Sequence, residues 1–132
     1  MSESPFGDDA SIVYSYSRKQ ALADGVLFDL SIPVGEIGHV ACTAAVYHRY
    51  LVPDKIMEAM GQSLEGRTHD LLWMMCCKID EARLAHTLSE RMTFKTIFLM
   101  PPGKLVTVNF VVTCGPGDTG EPVITIMLPN ES

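Results

Sequence analysis

The apolar run LLWMMCC, residues 71–77, narrows the choice of folds for this sequence more than any other feature. It lies in a stretch, from about residue 67 to residue 85, that has the pattern of one long helix. A helix that is apolar all round must be buried all round, so we expect its first half to form the centre of the fold. Its second half, KIDEARLAH, is amphipathic and should reach solvent. The run is far shorter than the ~20 residues needed to cross a bilayer, which argues against a membrane span.

The last third of the sequence has the pattern of strands. Three segments rich in β-branched and aromatic residues, 92–100, 105–113 and 123–128, are separated by turn-forming sequences. Short links between consecutive strands favour an antiparallel meander, which can cover a buried helix with one face. We therefore predict the α+β fold class, with a C-terminal three-stranded antiparallel meander packed on the buried central helix. A chain of 132 residues fits one domain, in which residues 1–12 are expected to form a flexible leader.

Smaller helices are predicted in the N-terminal part. Ser17 and Gln20 are spaced as a capping box, in which each side chain bonds the backbone of the other residue. Asp24-Gly25 should end that helix, because glycine readily adopts the left-handed conformation found at helix ends. Residues 26–31 then have the composition of a short strand.

Two further helices are predicted before the central one. Apolar residues recur at helical spacing over residues 40–51, which predicts a helix there. Asp54 is the expected N-cap of a short helix, and Gly61 is expected to terminate it.

Charge and cysteine content indicate the class of protein and its compartment. The formal net charge is −6, and the ten basic residues are scattered, whereas binding to nucleic acid requires clustered lysine and arginine. For a chain of negative charge, a protein with a cationic surface is an electrostatically better partner than a nucleic acid. The polar, acidic first ten residues lack the features of a secretory signal, and the four cysteines, with Cys76 beside Cys77, are predicted to be reduced. We therefore expect a cytoplasmic protein.

The pair His69-Asp70 has the form of the metal-binding pair of HD phosphohydrolases. Such a site needs further ligands from other helices, and His39, His48 and His86 stand at no metal-binding spacing. The cysteines form no CxxC pair. We therefore predict no metal and no other cofactor, and interpret His69 and Asp70 as first-turn residues of the central helix, where an anion is favoured. A small metal-dependent hydrolase using His69 and Asp70 is retained as an alternative.

The segment GPGDTGEP, residues 115–122, admits a ligand-binding and a structural interpretation. A Walker-type phosphate loop precedes a helix and contains lysine, whereas this segment precedes a strand and contains no base. Asp118 and Glu121 would repel an anion, and the ligand spacing of a calcium-binding EF-hand is missing. We favour a hairpin connection, because proline and glycine form turns and Pro122 can begin a strand without harm.

Candidate partner-binding residues come from two regions. Aromatic and charged residues near the N-terminus and at the start of the central helix, Asp70 and Trp73 among them, can form a polar–aromatic surface cluster. The alternative is that Trp73 lies in the core and Arg67 pairs with a carboxylate at the helix start. No catalytic and no metal-binding residue is predicted. The predicted partner-binding residues are Tyr14, Tyr16, Arg18, Arg67, Asp118 and Glu121.

Several stretches give the sequence a resemblance to a family of small proteins of unknown function, the DUF6573-like group. The matching stretches are YSYSRKQA and DGVL near the N-terminus, GR and DLLWM in the central helix, and residues 115–131. The ending GEPVITIMLP is the most specific of them. The chain departs from the family pattern at His69, where the family has an aromatic residue, and this weakens a metal site further.

The resemblance implies an accessory protein encoded by a plasmid, phage or other mobile element and located in the cytoplasm of a bacterial host. Small acidic proteins of such origin often bind and block a host protein. The expected function is thus non-catalytic binding that inhibits a host defence complex, as an anti-CRISPR inhibitor does with a Cas effector or another protein with a basic surface. A structural homodimeric accessory protein, joined through an exposed sheet edge, is a further alternative. No direct contact with nucleic acid or membrane is expected.

Overall fold

The computed structural model describes residues 17–30 and 39–131, and it confirms the α+β fold class. The strands form one five-stranded sheet, on which the longest helix packs. In chain order the elements are α1 (Arg18–Ala23), β1 (Leu27–Asp29), β2 (His39–Thr43), α2 (Ala44–Val46), a π-helical turn (Tyr47–Leu51) that continues α2, α3 (Lys55–Ala59), α4 (Leu64–Leu84), β3 (Arg91–Met100), β4 (Lys104–Pro116) and β5 (Pro122–Met127). The expected flexible leader, residues 1–12, lies outside the described residues.

The sheet is mixed, with the strand order β1-β2-β5-β4-β3. The predicted antiparallel neighbours β3, β4 and β5 are present. The prediction of a three-stranded sheet was nevertheless wrong, because β2 pairs with β5 in parallel and β1 pairs with β2. Val40 lies opposite Ile124 in this parallel pair. Such pairing joins segments that are distant in the chain, so no local pattern announces it.

The helix predicted over residues 40–51 begins later than expected. Its first residues form β2, and the helix starts only at Ala44, where the Thr43 side chain caps it by accepting from the Val46 backbone N–H. Consecutive β2 residues, Val40, Ala41 and Cys42, are all buried. A strand buried on both faces shows a continuous apolar run, which periodicity cannot distinguish from a buried helix.

The capping residues predicted for α1 and α3 are confirmed by their hydrogen bonds and backbone conformation. The Ser17 side chain accepts from the Gln20 backbone N–H at 3.0 Å, while Gln20 accepts from the Ser17 backbone N–H at 3.2 Å. Asp54 caps α3 by accepting from the Met57 N–H at 2.8 Å. Gly61 follows α3 with a φ of 87°, a conformation that a side chain would disfavour.

Helix α4 presents one buried stripe to the sheet. Leu71, Leu72 and Met75 are buried and share the core with Phe94 and Phe110 of the strands. The described strands lie along one side of the helix, so packing against them removes only one stripe of its surface from water. The prediction of burial all round was therefore wrong, and the opposite side of the apolar run is exposed.

Candidate protein-binding groove

Trp73 is the largest apolar side chain on the exposed side of α4. It is 57% exposed, and its indole stacks on the His69 imidazole one turn earlier, with ring centroids 6.3 Å apart. The exposed carboxylate of Asp70 lies beside this pair, 3.9 Å from His69 Nδ1. Tryptophan is enriched among the few interface residues that dominate binding energy. An exposed indole flanked by a carboxylate is therefore well suited to contact a partner.

An open groove of about 880 Å³ lies beside Trp73, between α4 and the neighbouring ends of β4 and β5. We call it the α4 groove. Its walls come from three regions that are separate in the sequence: α4, the segment before β3, and the β4–β5 strand ends. The apolar lining consists of Trp73, Cys76, Ile79, Leu88, Cys114, Pro122, Val123 and Ile124, and the charged lining of Asp80, Arg83 and Glu90.

The charged lining of the α4 groove is negative overall. Arg83 pairs with Asp80 at 3.3 Å, one turn apart on α4, and both side chains are exposed. Among the residues that the structure describes, no side chain bonds the Glu90 carboxylate. The two acids and one base leave one uncompensated negative charge next to the apolar wall, which favours a cationic partner group.

Two free cysteines, Cys76 and Cys114, also line the groove. Burial raises the pKa of both thiols, and nearby Asp80 raises that of Cys76 further. A thiol with a raised pKa stays protonated at neutral pH, and the thiolate is the reactive form. These cysteines therefore suit apolar contact better than nucleophilic chemistry.

Two of the predicted partner-binding residues, Arg18 and Asp118, form hydrogen bonds within the protein. The Asp118 carboxylate accepts from the backbone N–H groups of Arg18 and Lys19 at 2.9 and 3.0 Å. The Arg18 guanidinium donates to Thr125 Oγ1 at 2.7 Å and to the Ile124 carbonyl at 2.8 Å. The two backbone bonds lower the pKa of Asp118, while burial lowers that of Arg18. These contacts tie the start of α1 to β5 and to the β4–β5 loop.

Glu121 shapes the loop that joins β4 to β5. Its carboxylate accepts from both the backbone N–H and the hydroxyl of Thr119 at 3.0 Å, and these bonds lower its pKa. Gly120, with a φ of 85°, supplies the left-handed residue that the turn requires. The strands on either side pair antiparallel, so the hairpin interpretation of this segment is confirmed.

Arg67 is a buried residue, which corrects its expected place on the surface. Its side chain is 1% exposed and donates to the carbonyls of Tyr50 and Leu99 at 2.6 and 2.9 Å. Gln62 Oε1 accepts a further bond, and the guanidinium lies 4.6 Å above the centroid of the Phe98 ring. Burial lowers the pKa of Arg67, whereas Asp70 and Asp54 act in the opposite direction. Its contacts are thus internal, and its main acceptors are carbonyls and not a helix-start carboxylate.

The six predicted residues are therefore divided in the structure. Arg18, Asp118 and Glu121 line one small depression, whereas the Arg67 side chain extends from α4 into the interior, where it bonds the π-helical turn and β3. The remaining two, Tyr14 and Tyr16, lie outside the described residues.

His69 and Asp70 stand in the second turn of α4 and not in the first, because the helix begins at Leu64. Both side chains are exposed. Within residues 17–30 and 39–131, no group of three histidine, cysteine or carboxylate residues is placed to hold a metal ion.

The groove itself is absent from the sequence-based prediction. Leu88 and Glu90 lie between elements, and their approach to α4 depends on how the chain turns after the helix. A partial signal was available on α4, where His69, Trp73 and Asp80 recur at i, i+4 and i+11 and thus share a face. Because His69 and Asp80 are polar, the face that they share with Trp73 is expected to be exposed to solvent.

Comparison with known protein families identifies a match over nearly the whole chain. A family model described as a family of unknown function (DUF6573) matches residues 4–132. No curated protein and no solved structure matches the chain. Among the helices described, none has the length and hydropathy required to cross a membrane.

Proposed function

The chain belongs to the DUF6573 family, and from this premise we propose that it is a non-catalytic binding protein that contacts a host protein through the α4 groove. The observation that carries the proposal is the exposed Trp73 beside an open, largely apolar groove. A partner that covered the exposed part of this indole would remove on the order of 100 Å² of apolar surface from water, which contributes about 2.5 kcal/mol.

The chemistry of the groove supports binding in preference to turnover. Its thiols have raised pKa values. Arg83 is the only lysine or arginine among the lining residues, and it is paired with Asp80. Catalysis by a nucleophile requires an activated group with a base in hydrogen-bond reach. Apolar walls with a few charged residues at their margin are instead typical of protein interfaces.

The proposed partner is a host defence complex with a basic surface, in particular a CRISPR–Cas effector. The net charge of −6 supports this choice, because effectors hold nucleic acid in positively charged channels. We further propose that the protein is encoded by a mobile genetic element and acts in the bacterial cytoplasm. Its action would be stoichiometric inhibition without turnover.

A DNA-cleavage assay with purified Cas effector complexes tests the proposal. Cleavage should fall with increasing protein until the two are equimolar, and association should weaken as salt is raised. Replacing Trp73 with alanine should weaken association about 30-fold, which corresponds to ~2 kcal/mol.

Leu105 provides the matched control, because it is 69% exposed on β4 and lies outside the groove. The Leu105→Ala variant should inhibit as strongly as the unmodified protein. Failure to associate with any effector at low salt would contradict the proposed function. If the Trp73→Ala variant inhibited as strongly as the unmodified protein, the α4 groove would not be the surface that contacts the partner.

A further inference from the structure

We infer that the α4 groove receives an amphipathic helix whose apolar face is flanked by lysine or arginine. The inference deepens the proposed function and rests on it, since the host partner would supply this helix. It follows from the backbone pairing, the length and the charge of the groove.

The strands that form the groove wall offer no free edge to an extended peptide. Val123 is paired with Gly115 of β4 on one side and with His39 of β2 on the other. The Cys114 backbone N–H donates to the Glu90 carbonyl at 2.9 Å. A segment entering this apolar groove must therefore satisfy its own backbone groups, and a helix does so internally.

The length of the groove suits a short helix. Its α4 wall extends from Trp73 to Arg83, ten residues along the helix, or roughly 15 Å at ~1.5 Å per residue. A bound helix of similar length spans two to three turns. Apolar side chains at positions i, i+3 or i+4, and i+7 would then all reach the apolar wall.

Charge selects a cationic helix over an anionic one. Glu90 has no side-chain partner in the described part of the chain, and Asp70 adds a second exposed carboxylate near Trp73. Lysine or arginine beside the apolar face of the ligand would lie near these acids. Glutamate in the same positions would face like charge, which disfavours association.

Trp73 makes this inference testable by fluorescence, because it is the only tryptophan of the chain. The probes are two tryptophan-free peptides of about 14 residues with the same leucine face, one carrying lysine and the other glutamate at the flanking positions. The lysine peptide should give a saturable blue shift of the emission, and the glutamate peptide should give none. The Glu90→Lys variant should weaken binding of the lysine peptide about tenfold.

Two further variants distinguish an effect of charge within the groove from an effect of net charge or of unfolding. Glu58→Lys makes the same charge change on α3, outside the groove, and should leave binding within about twofold of the unmodified protein. Leu88→Ala removes an apolar contact from a side chain that is 55% exposed, so it should weaken binding without unfolding the protein. Circular dichroism melts verify that each variant is folded.

No saturable shift with the lysine peptide, equal binding of both peptides, or equal effects of Glu90→Lys and Glu58→Lys would overturn the inference. The proposed function fails separately. If the lysine peptide binds but no defence effector is inhibited, the inference stands and the proposed function falls. If an effector is inhibited while the peptide neither binds nor competes, the function stands and the helical ligand is refuted.

Discussion

Replacing Arg67 with alanine removes a guanidinium that joins three parts of the fold. The side chain extends from α4, donates to the Tyr50 carbonyl in the π-helical turn, and donates to the Leu99 carbonyl at the end of β3. The same group lies over the Phe98 ring. The substitution leaves both carbonyls without this donor and opens a space where the buried side chain stood.

The magnitude follows from these contacts. Each carbonyl that loses its donor costs about 1–2 kcal/mol, and loss of a desolvated cation–π contact costs about 2 kcal/mol. Together they predict destabilisation of about 4–6 kcal/mol. A domain of this size has a free energy of unfolding of roughly 5–15 kcal/mol, so Arg67→Ala should lose much of its stability.

Urea unfolding followed by far-ultraviolet circular dichroism measures this effect. With a slope of about 1.5–2 kcal/mol per molar urea, the midpoint should fall by roughly 2–4 M. Arg49→Ala is the matched control, because the exposed Arg49 guanidinium lies 5.4 Å from the centroid of the Tyr50 ring. An exposed contact of this kind is expected to contribute less than about 1 kcal/mol.

The reasoning would be refuted if Arg67→Ala stayed within about 1 kcal/mol of the unmodified protein, or if Arg49→Ala were equally destabilising. Arg67→Lys gives an additional check. It retains the charge but not the planar fork that reaches several acceptors together, so its stability should lie between those of the unmodified protein and the alanine variant.

Three further predictions concern stability and local order. Thr96 Oγ1 is buried without a hydrogen-bond partner among the described residues, so Thr96→Val should raise the free energy of unfolding by about 1 kcal/mol in urea titrations. Burial, aided by Glu131, raises the pKa of Cys42 from 9.0 to about 12. As pH rises, the thiol therefore ionises in the unfolded protein before it does so in the folded protein. The stability that comes from this difference is complete below pH 9 and is lost as pH rises towards 12. Cys42→Ala should flatten this alkaline decline in the urea midpoint, and an unchanged slope would contradict the assignment. Asp118→Ala should speed hydrogen exchange at the amides of Arg18 and Lys19, which donate to its carboxylate, and unchanged protection in NMR exchange measurements would contradict that role.

Features of the fold that depend on neighbouring residues were predictable from the sequence. The capping box of Ser17 and Gln20, the Asp54 cap and the β4–β5 hairpin each involve a few consecutive residues whose backbone bonds are local. The same holds for the alternation of buried and exposed residues along β3. Local hydrogen bonding and side-chain period determine such features before any long-range contact is made.

The place of Arg67 shows where local inference ends. A charged residue at the start of a helix is ordinarily exposed, and only the approach of the π-helical turn and β3 provides the carbonyls that bond it. The extent of the sheet depends in the same way on the parallel pairing of β2 with β5. Neither contact leaves a pattern in the residues adjacent to Arg67 or Val40.

The sequence by itself thus determined the α+β class, most helix ends, the C-terminal antiparallel strands and the acidic charge. Tertiary structure decided which side of the run LLWMMCC is buried, because a helix packed against a sheet on one side hides only one stripe. Composition made the whole run apolar, but packing alone left Trp73 exposed and brought Leu88, Glu90 and the strand ends beside it. The candidate site is therefore a product of long-range packing.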